Sequence, residues 1–285
     1  MNGVLTMLAW LPLGVLYALS TLIIYPLLLV GGYRREVIRR NIRVSFPDKT
    51  RKERRRIERK FYLNFADSIV ETVKLLHISD REIVRRVKWD NLDVLKKQIE
   101  AGRSVVIYFS HCFNWEWAPS VTLHLDCPGV VFGQIYRPLR SKKFDELMLR
   151  VRSRFGSRSL PKATALRSFV KDRQEGLVSI TGFMSDQRPS HGDPGYQTSF
   201  LGHTSLMISG TETLARKLGT AVVYWDMERN GRGRYTINTR LISEDASKEP
   251  EGKITGEYTR MLEKTIRRDP SNWLWSHNRW KKVAR

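Results

Sequence analysis

The chain has 285 residues, of which 50 are Lys or Arg and 29 are Asp or Glu, giving a formal net charge of +21. A hydrophobic content of 41% excludes a disordered polyelectrolyte, and two cysteines exclude a disulfide scaffold and point to a reducing compartment. Such a balance requires an anionic partner: nucleic acid, an anionic membrane surface, a phosphorylated substrate or an acidic carrier protein.

The charge is unevenly placed. Residues 1–33 carry no Asp, Glu, Lys or Arg. Val4 to Val30 reads VLTMLAWLPLGVLYALSTLIIYPLLLV, long enough as a helix to span a bilayer with tilt or to lie partly embedded. Pro12 and Pro26 predict kinks, and Trp10, Tyr17 and Tyr25 are amphipathic aromatics suited to a membrane interface. The absence of a basic n-region and of a small-residue cleavage site argues against a cleaved leader. Arg34 to Lys60 then holds 13 Lys/Arg against 4 Asp/Glu. By the positive-inside rule this flank keeps the following chain cytoplasmic, and the same cluster suits anionic headgroups. No zinc-finger or RNP-like motif accompanies it, so no nucleic-acid partner is expected. The expected division is an anchor over 1–33 and one domain over 34–285.

Within that domain, Ile57, Phe61, Phe65, Ile69 and Val73 predict a helix over Arg51–Leu76, and Asn91–Glu100 predicts another, stopped by Gly102. Short apolar, β-branched runs predict buried strands at Ser104–Phe109, Val130–Tyr136, Leu177–Thr181 and Ala221–Trp225. Helical patterns over Asp145–Arg154, Thr164–Arg173 and Ile208–Leu218 alternate with them. Tyr235–Ile242 alternates as a more exposed strand, and Lys253–Arg268 predicts a late helix. The alternation implies an α/β domain with a largely parallel central sheet flanked by helices.

Sites in open α/β sheets gather at the carboxyl ends of strands. Three polar groups follow predicted strands here: Ser110 to Glu116, then Arg137-Pro138, then Asp186-Gln187-Arg188. His111 and Glu116 stand in an H-x4-E spacing. If a helix begins near Asn114, both face one crevice, where a carboxylate can orient the imidazole while His111 deprotonates a hydroxyl attacking a thioester or ester. Arg137, or backbone N–H groups near Asn114, supply candidate donors to the tetrahedral oxyanion. Cys112 competes as a nucleophile but adjoins His111 on a strand end, where neighbours point apart. A zinc site from His111, Cys112 and Cys127 lacks ligand spacing, so no metal is expected.

His111-Cys112-Phe113-Asn114-Trp115-Glu116 resembles the H-x-G-N-W-E element of the lipid A late acyltransferases (lauroyl/myristoyl acyltransferases), within the H-x4-D/E acyltransferase group. Phe113 stands where that family has Gly. Tyr136-Arg137-Pro138, Asp186-Gln187 and Phe200-Leu201-Gly202 are similar to further elements. So are the early Asn41-Ile42-Arg43-Val44-Ser45-Phe46-Pro47 and the ending Trp273 to Lys281. The resemblance implies a single glycerolipid-acyltransferase-like domain behind an N-terminal membrane helix at a bacterial inner membrane. It implies acyl transfer from acyl carrier protein or coenzyme A to a hydroxyl of a membrane glycolipid, with no cofactor. His111 would be the general base and Glu116 its orienting carboxylate, Asn114 would position that pair or the substrate, and Arg137, Asp186 and Gln187 would lie on the substrate side. An acceptor such as a phosphoinositide mannoside or an amino-acid lipid is the nearest alternative. A non-enzymatic protein binding anionic membranes or nucleic acid is the more distant one.

Overall fold

The structure is a computed structural model that describes residues 2–125 and 127–280. The apolar segment forms α1 (Asn2–Trp10), α2 (Leu13–Leu19), a π-helical turn (Ser20–Ile24) and α3 (Tyr25–Val30). Pro12 breaks it as expected. At Pro26 the helix continues, because the wider π turn just before it accommodates the missing N–H.

The domain continues with α4 (Arg35–Ser45), α5 (Arg51–Lys74), α6 (Asp80–Arg86), β1 (Val87–Asp90), α7 (Asp93–Glu100) and β2 (Val105–Phe109). A 3-10 helix (Trp115–Leu123) precedes β3 (Val130–Tyr136), α8 (Lys142–Arg152), β4 (Arg158–Pro161), α9 (Ala165–Gln174) and β5 (Val178–Met184). The hairpin of β6 (Gly195–Phe200) and β7 (His203–Ile208) leads to α10 (Gly210–Leu218), β8 (Ala221–Gly231), β9 (Arg234–Ser243) and α11 (Lys253–Arg268).

Seven strands form one sheet in the order β1-β9-β8-β2-β5-β3-β4, parallel at every step except β8–β9. The predicted single α/β domain with a largely parallel sheet is what the chain adopts. β2 lies between β5 and β8, and its five residues are buried on both faces, which explains its unbroken apolar run. In β9 only every second residue (Tyr235, Ile237, Thr239) is fully buried, matching the alternation. Short β1 and β4 edge the sheet, and their four residues each carry too little pattern to be seen in the sequence.

Helix α5 organises the other half of the molecule. It starts with a capping box, in which Glu53 N–H donates to Thr50 Oγ1 (3.3 Å) and the Thr50 N–H donates to the Glu53 carboxylate (2.7 Å). Its inward face departs from the expected stripe. Ile57 and Phe61 are buried, but Ile69 is exposed, and Tyr62, Ala66 and Val70 complete the apolar contact. A strict four-residue repeat gains about 40° per step over the helical period, so it drifts off the core within a few turns. Asp67 and Glu71 take the vacated inward positions and are fully buried.

Phe200-Leu201-Gly202 is the β6–β7 turn, with Leu201 and Gly202 both at positive φ. Phe200 packs against Trp273 and Trp280. Trp273, Trp275 and Trp280 are all buried, so these tryptophans serve the core and not lipid. Asn41 Nδ2 donates to the carbonyls of Trp275 (2.8 Å) and His277 (2.7 Å), which ties the early motif to the ending one. Lys281, the last residue of that ending motif, lies outside the described residues.

Candidate active site

The site follows from strand register. β2 and β5 are neighbours, and Phe109 lies opposite Met184. Two residues past each brings His111 against Asp186. The Asp186 carboxylate takes three donors: His111 Nδ1 (2.7 Å), the His111 backbone N–H (3.0 Å) and Trp273 Nε1 (2.7 Å). Burial alone would push the Asp186 carboxyl up, but the facing imidazole and these three hydrogen bonds outweigh it and hold it at about 2. The carboxylate is therefore charged. With Nδ1 bound to it, His111 turns Nε2 outward, 3.3 Å from Gln187 Nε2, and the Trp115 ring stands edge-on to the imidazole at 5.0 Å.

This arrangement differs from the H-x4-E expectation. The carboxylate that holds His111 is that of Asp186 and not that of Glu116. Glu116 does sit in the first turn of a helix starting after Asn114, but that turn directs its carboxylate to α8. There Arg152 grips it through Nη2 (2.6 Å) and Nε (2.9 Å), with Trp115 Nε1 adding a third donor at 3.1 Å. The local spacing hid this partner, because Arg152 lies 36 residues downstream on a different helix.

Of the two roles expected of Asn114, substrate binding does not fit its surroundings. Asn114 is buried and holds backbone rather than substrate. Its Oδ1 accepts from the Glu116 N–H (3.1 Å), capping the 3-10 helix, and its Nδ2 donates to the Ser68 carbonyl of α5 (3.2 Å). Asn114 thereby pins the loop carrying His111 to α5. The Trp117 N–H is also occupied, by the Asn114 carbonyl. Glu116 N–H and Trp117 N–H are thus unavailable to an oxyanion, which leaves Arg137, exposed at the end of β3, as the cationic candidate. Phe113, in place of glycine, is fully buried among Phe61, Phe65 and Trp115. Cys112 is buried and pairs with Trp273 across an isolated bridge, and burial pushes its thiol far up, which disfavours a nucleophilic thiolate.

His111, Glu116, Arg137 and Arg152 border a cavity of about 400 Å³. Its lining is mostly apolar, with Phe132, Ile135, Ile180 and Gly182 of the sheet and Leu214 of α10, and His111, Glu116, Arg137 and Arg152 among its polar groups. Such a lining accepts an alkyl chain with a reactive head at the histidine.

His277 closes the other side of the histidine loop, accepting the Arg188 N–H on Nε2 at 3.2 Å. Burial, aided by the nearby Arg279, His111 and Arg34, lowers it to about 4, against an opposing pull from Asp186. The unfolded chain therefore binds the extra proton between about pH 6.5 and 4 and the folded one does not. The contribution of His277 is complete above pH 6.5 and is lost as the pH falls toward 4. Urea midpoints at pH 7 and pH 5 should differ less in His277→Gln than in the parent protein. An unchanged difference would refute the assignment.

Comparison with known proteins agrees with this architecture. The sequence matches the family described as bacterial lipid A biosynthesis acyltransferase over residues 1–282. It is 24% identical over 288 residues to a lipid A biosynthesis palmitoleoyltransferase of Escherichia coli (strain K12), covering 96% of this chain and 91% of that one. It is 22% identical over 280 residues to a lipid A biosynthesis lauroyltransferase of the same organism, covering 98% and 89%. A lipid A biosynthesis acyltransferase of Haemophilus influenzae is 25% identical over 259 residues, covering 88% and 79%. With the family matched across nearly its full length, the chain belongs to the bacterial lipid A biosynthesis acyltransferases.

Proposed function

We propose that the protein transfers a fatty acyl group from an acyl thioester, on acyl carrier protein or coenzyme A, to a hydroxyl of a lipid A precursor at the cytoplasmic face of a bacterial inner membrane. The observation that carries this reading is the His111–Asp186 pair, whose histidine borders a mostly apolar cavity.

In this reading the acyl chain lies in the cavity and its thioester carbonyl stands beside His111 Nε2. Asp186 accepts the Nδ1–H, which fixes the tautomer with the Nε2 lone pair free. The acceptor hydroxyl displaces Gln187 from Nε2, gives up its proton there and forms the new C–O bond. The charge on Asp186 stabilises the imidazolium, and Arg137 faces the oxyanion. Collapse of the tetrahedral intermediate breaks the C–S bond, and the proton on Nε2 leaves with the thiolate. Glu116 and Arg152 form a polar wall of the cavity. The basic surface draws in an anionic donor and a phosphorylated acceptor.

The lipid mass spectrum of a deletion strain tests the reading. Lipid A lacking one secondary acyl chain is expected, restored by the parent gene and not by His111→Ala. Loss of an acyl chain from another lipid would move the acceptor, and an unchanged lipid profile would refute acyl transfer.

Gly182 provides a test of the cavity's role. Among the described residues, the one non-adjacent heavy atom within 4 Å of its missing Cβ is the Gly133 carbonyl oxygen at 3.9 Å, and Gly182 lines the cavity. Gly182→Leu should therefore place a side chain in the path of the acyl chain. Turnover of the longest accepted donor should fall more than about tenfold relative to shorter ones, since one methylene is worth about 1–3 kcal/mol in such a pocket. A donor profile identical to that of the parent protein would put the acyl chain elsewhere.

A further inference from the structure

By length and composition the apolar segment qualifies as a membrane span. Leu13–Val30 has 18 residues with a mean hydropathy of 2.2. Its attachments describe another placement. The segment lies side-on and antiparallel along the second half of α5. Lys74 Nζ donates to the carbonyls of Ala9 (3.0 Å) and Leu11 (2.9 Å), Tyr17 OH to Glu71 (2.9 Å), and Ser20 Oγ to Asp67 (2.7 Å). At the far end, Tyr62 OH donates to the Tyr33 carbonyl (2.9 Å), and Tyr33 stacks on Phe65.

The middle of the segment is also covered by the β8–β9 turn. Arg232 Nη2 donates to the Tyr17 carbonyl (3.1 Å) and Thr21 Oγ1 (3.0 Å), and its guanidinium lies 4.6 Å from the Tyr17 ring centre. Gly233 approaches so closely that a Cβ there would meet the Tyr17 hydroxyl at 2.0 Å. Arg229 and Arg232 both pair with Asp67. A segment crossing the bilayer in this packing would drag the Asp67–Arg229–Arg232 ion pairs and the buried Glu71 to the depth of its own midpoint, a placement that is costly even for paired charges. The opposite side of the segment stays bare and apolar. Met7, Trp10, Leu22, Leu27 and Val30 are all at least two-thirds exposed.

The line of the segment then passes into α4, which packs on the first half of α5. Between them lies a hollow lined by Arg39, Arg40, Arg43, Arg51, Arg54 and Arg55, with Glu36 and Glu58 as its acidic members. Glu58 is taken by Arg39. The hollow therefore carries excess positive charge at the end of a bare apolar ridge, which matches a surface with fatty interior and anionic headgroups.

We propose that the N-terminal segment is an in-plane anchor. It lies in one leaflet with its bare side toward the acyl chains and its other side on α5, and the arginine hollow holds anionic phospholipid headgroups. The chain enters and leaves the membrane on the same side. This placement rests on the membrane part of the proposed function and not on its chemistry.

The test uses the full chain with Cys127→Ser and a short polar extension carrying one cysteine ahead of Met1. A second version carries Glu100→Cys on the domain surface instead. A membrane-impermeant maleimide is applied to intact spheroplasts and to inverted vesicles. The in-plane anchor predicts that both cysteines react in the same preparation. Reaction of the extension in one preparation and of Glu100→Cys in the other would overturn it.

The headgroup half is tested by flotation of the full chain with phosphatidylcholine vesicles containing or lacking phosphatidylglycerol. Arg43→Gln, Arg51→Gln and Arg55→Gln together should reduce the preference for phosphatidylglycerol on the order of 100-fold, with an unchanged circular dichroism spectrum. An unchanged preference would refute the hollow's role. Weaker binding of acyl carrier protein with unaltered vesicle binding would assign it to the carrier instead. Acyl transfer by the two single-cysteine versions reports separately on the chemistry.

Discussion

Asp186→Asn should lower the rate of acyl transfer about 10⁴-fold, and Glu116→Gln should lower it far less. The size follows from what an oriented carboxylate does for a catalytic histidine: loss of its charge leaves the wrong tautomer and an unstabilised imidazolium. Asn keeps nearly the same volume, so the buried pocket between His111 and Trp273 survives. Its amide, however, can present a donor to Nδ1, and that leaves Nε2 protonated and unable to accept the hydroxyl proton. Glu116→Gln removes charge from a group that faces Arg152 at 2.6 Å and not the imidazole. It should act mainly on substrate affinity in the cavity. His111→Ala should match or exceed the Asp186→Asn loss. The check is kcat and KM for each purified variant, with thermal unfolding as the control for folding. A Glu116→Gln loss in kcat larger than that of Asp186→Asn would return the orienting role to Glu116.

The second large effect is expected on stability. Asp67→Ala should cost about 3–5 kcal/mol, because it removes the one carboxylate that contacts both Arg229 and Arg232 and leaves a buried gap beside them. Asp67 is fully buried and takes both guanidiniums as well as the Ser20 hydroxyl. Against a typical total of about 5–15 kcal/mol, that loss is a large fraction of the domain's stability. Ser20→Ala should cost only about 1 kcal/mol, since it removes one hydrogen bond and leaves the ion pairs in place. Denaturant unfolding in detergent measures both, and proteolysis before Arg34 should accelerate in Asp67→Ala. A loss below about 1 kcal/mol for Asp67→Ala would show that the arginines find other partners.

The regular elements were legible where local pattern determines them. The strands at Val130–Tyr136 and Ala221–Trp225 and the helix at Lys253–Arg268 are visible in single runs of residues, although Val130–Tyr136 is half-buried along the cavity where its apolar run predicts full burial. The partner of His111 was not visible. It depends on which strands lie side by side, and β2 pairs with a strand about 75 residues away, a relation that no local period encodes. The same holds for Arg152 and Glu116. His111, Glu116 and Arg137 do line one cavity, with Asp186 and Gln187 on His111, since strand ends on one edge of a parallel sheet lie close together. Their pairing within it needed the sheet order. Asn114 looked like a substrate ligand because it stands beside the histidine, and only the packing of α5 shows its side chain turned inward.

One carboxylate touches both halves of the molecule. Glu71 receives Tyr17 OH from the membrane segment, Tyr235 OH from the sheet and Asn114 Nδ2 from the histidine loop. The exposed apolar ridge and the loop carrying His111 are therefore both held by the same two turns of one helix. Under the proposed in-plane placement, the height of His111 above the acyl chains is a constant of the fold. An acceptor whose hydroxyl stands at that height reacts while still seated in its leaflet. One whose hydroxyl lies deeper must first be lifted out, at a cost that grows with every methylene withdrawn. Vertical reach thus becomes a selection rule of its own, exercised before any group in the crevice has made contact.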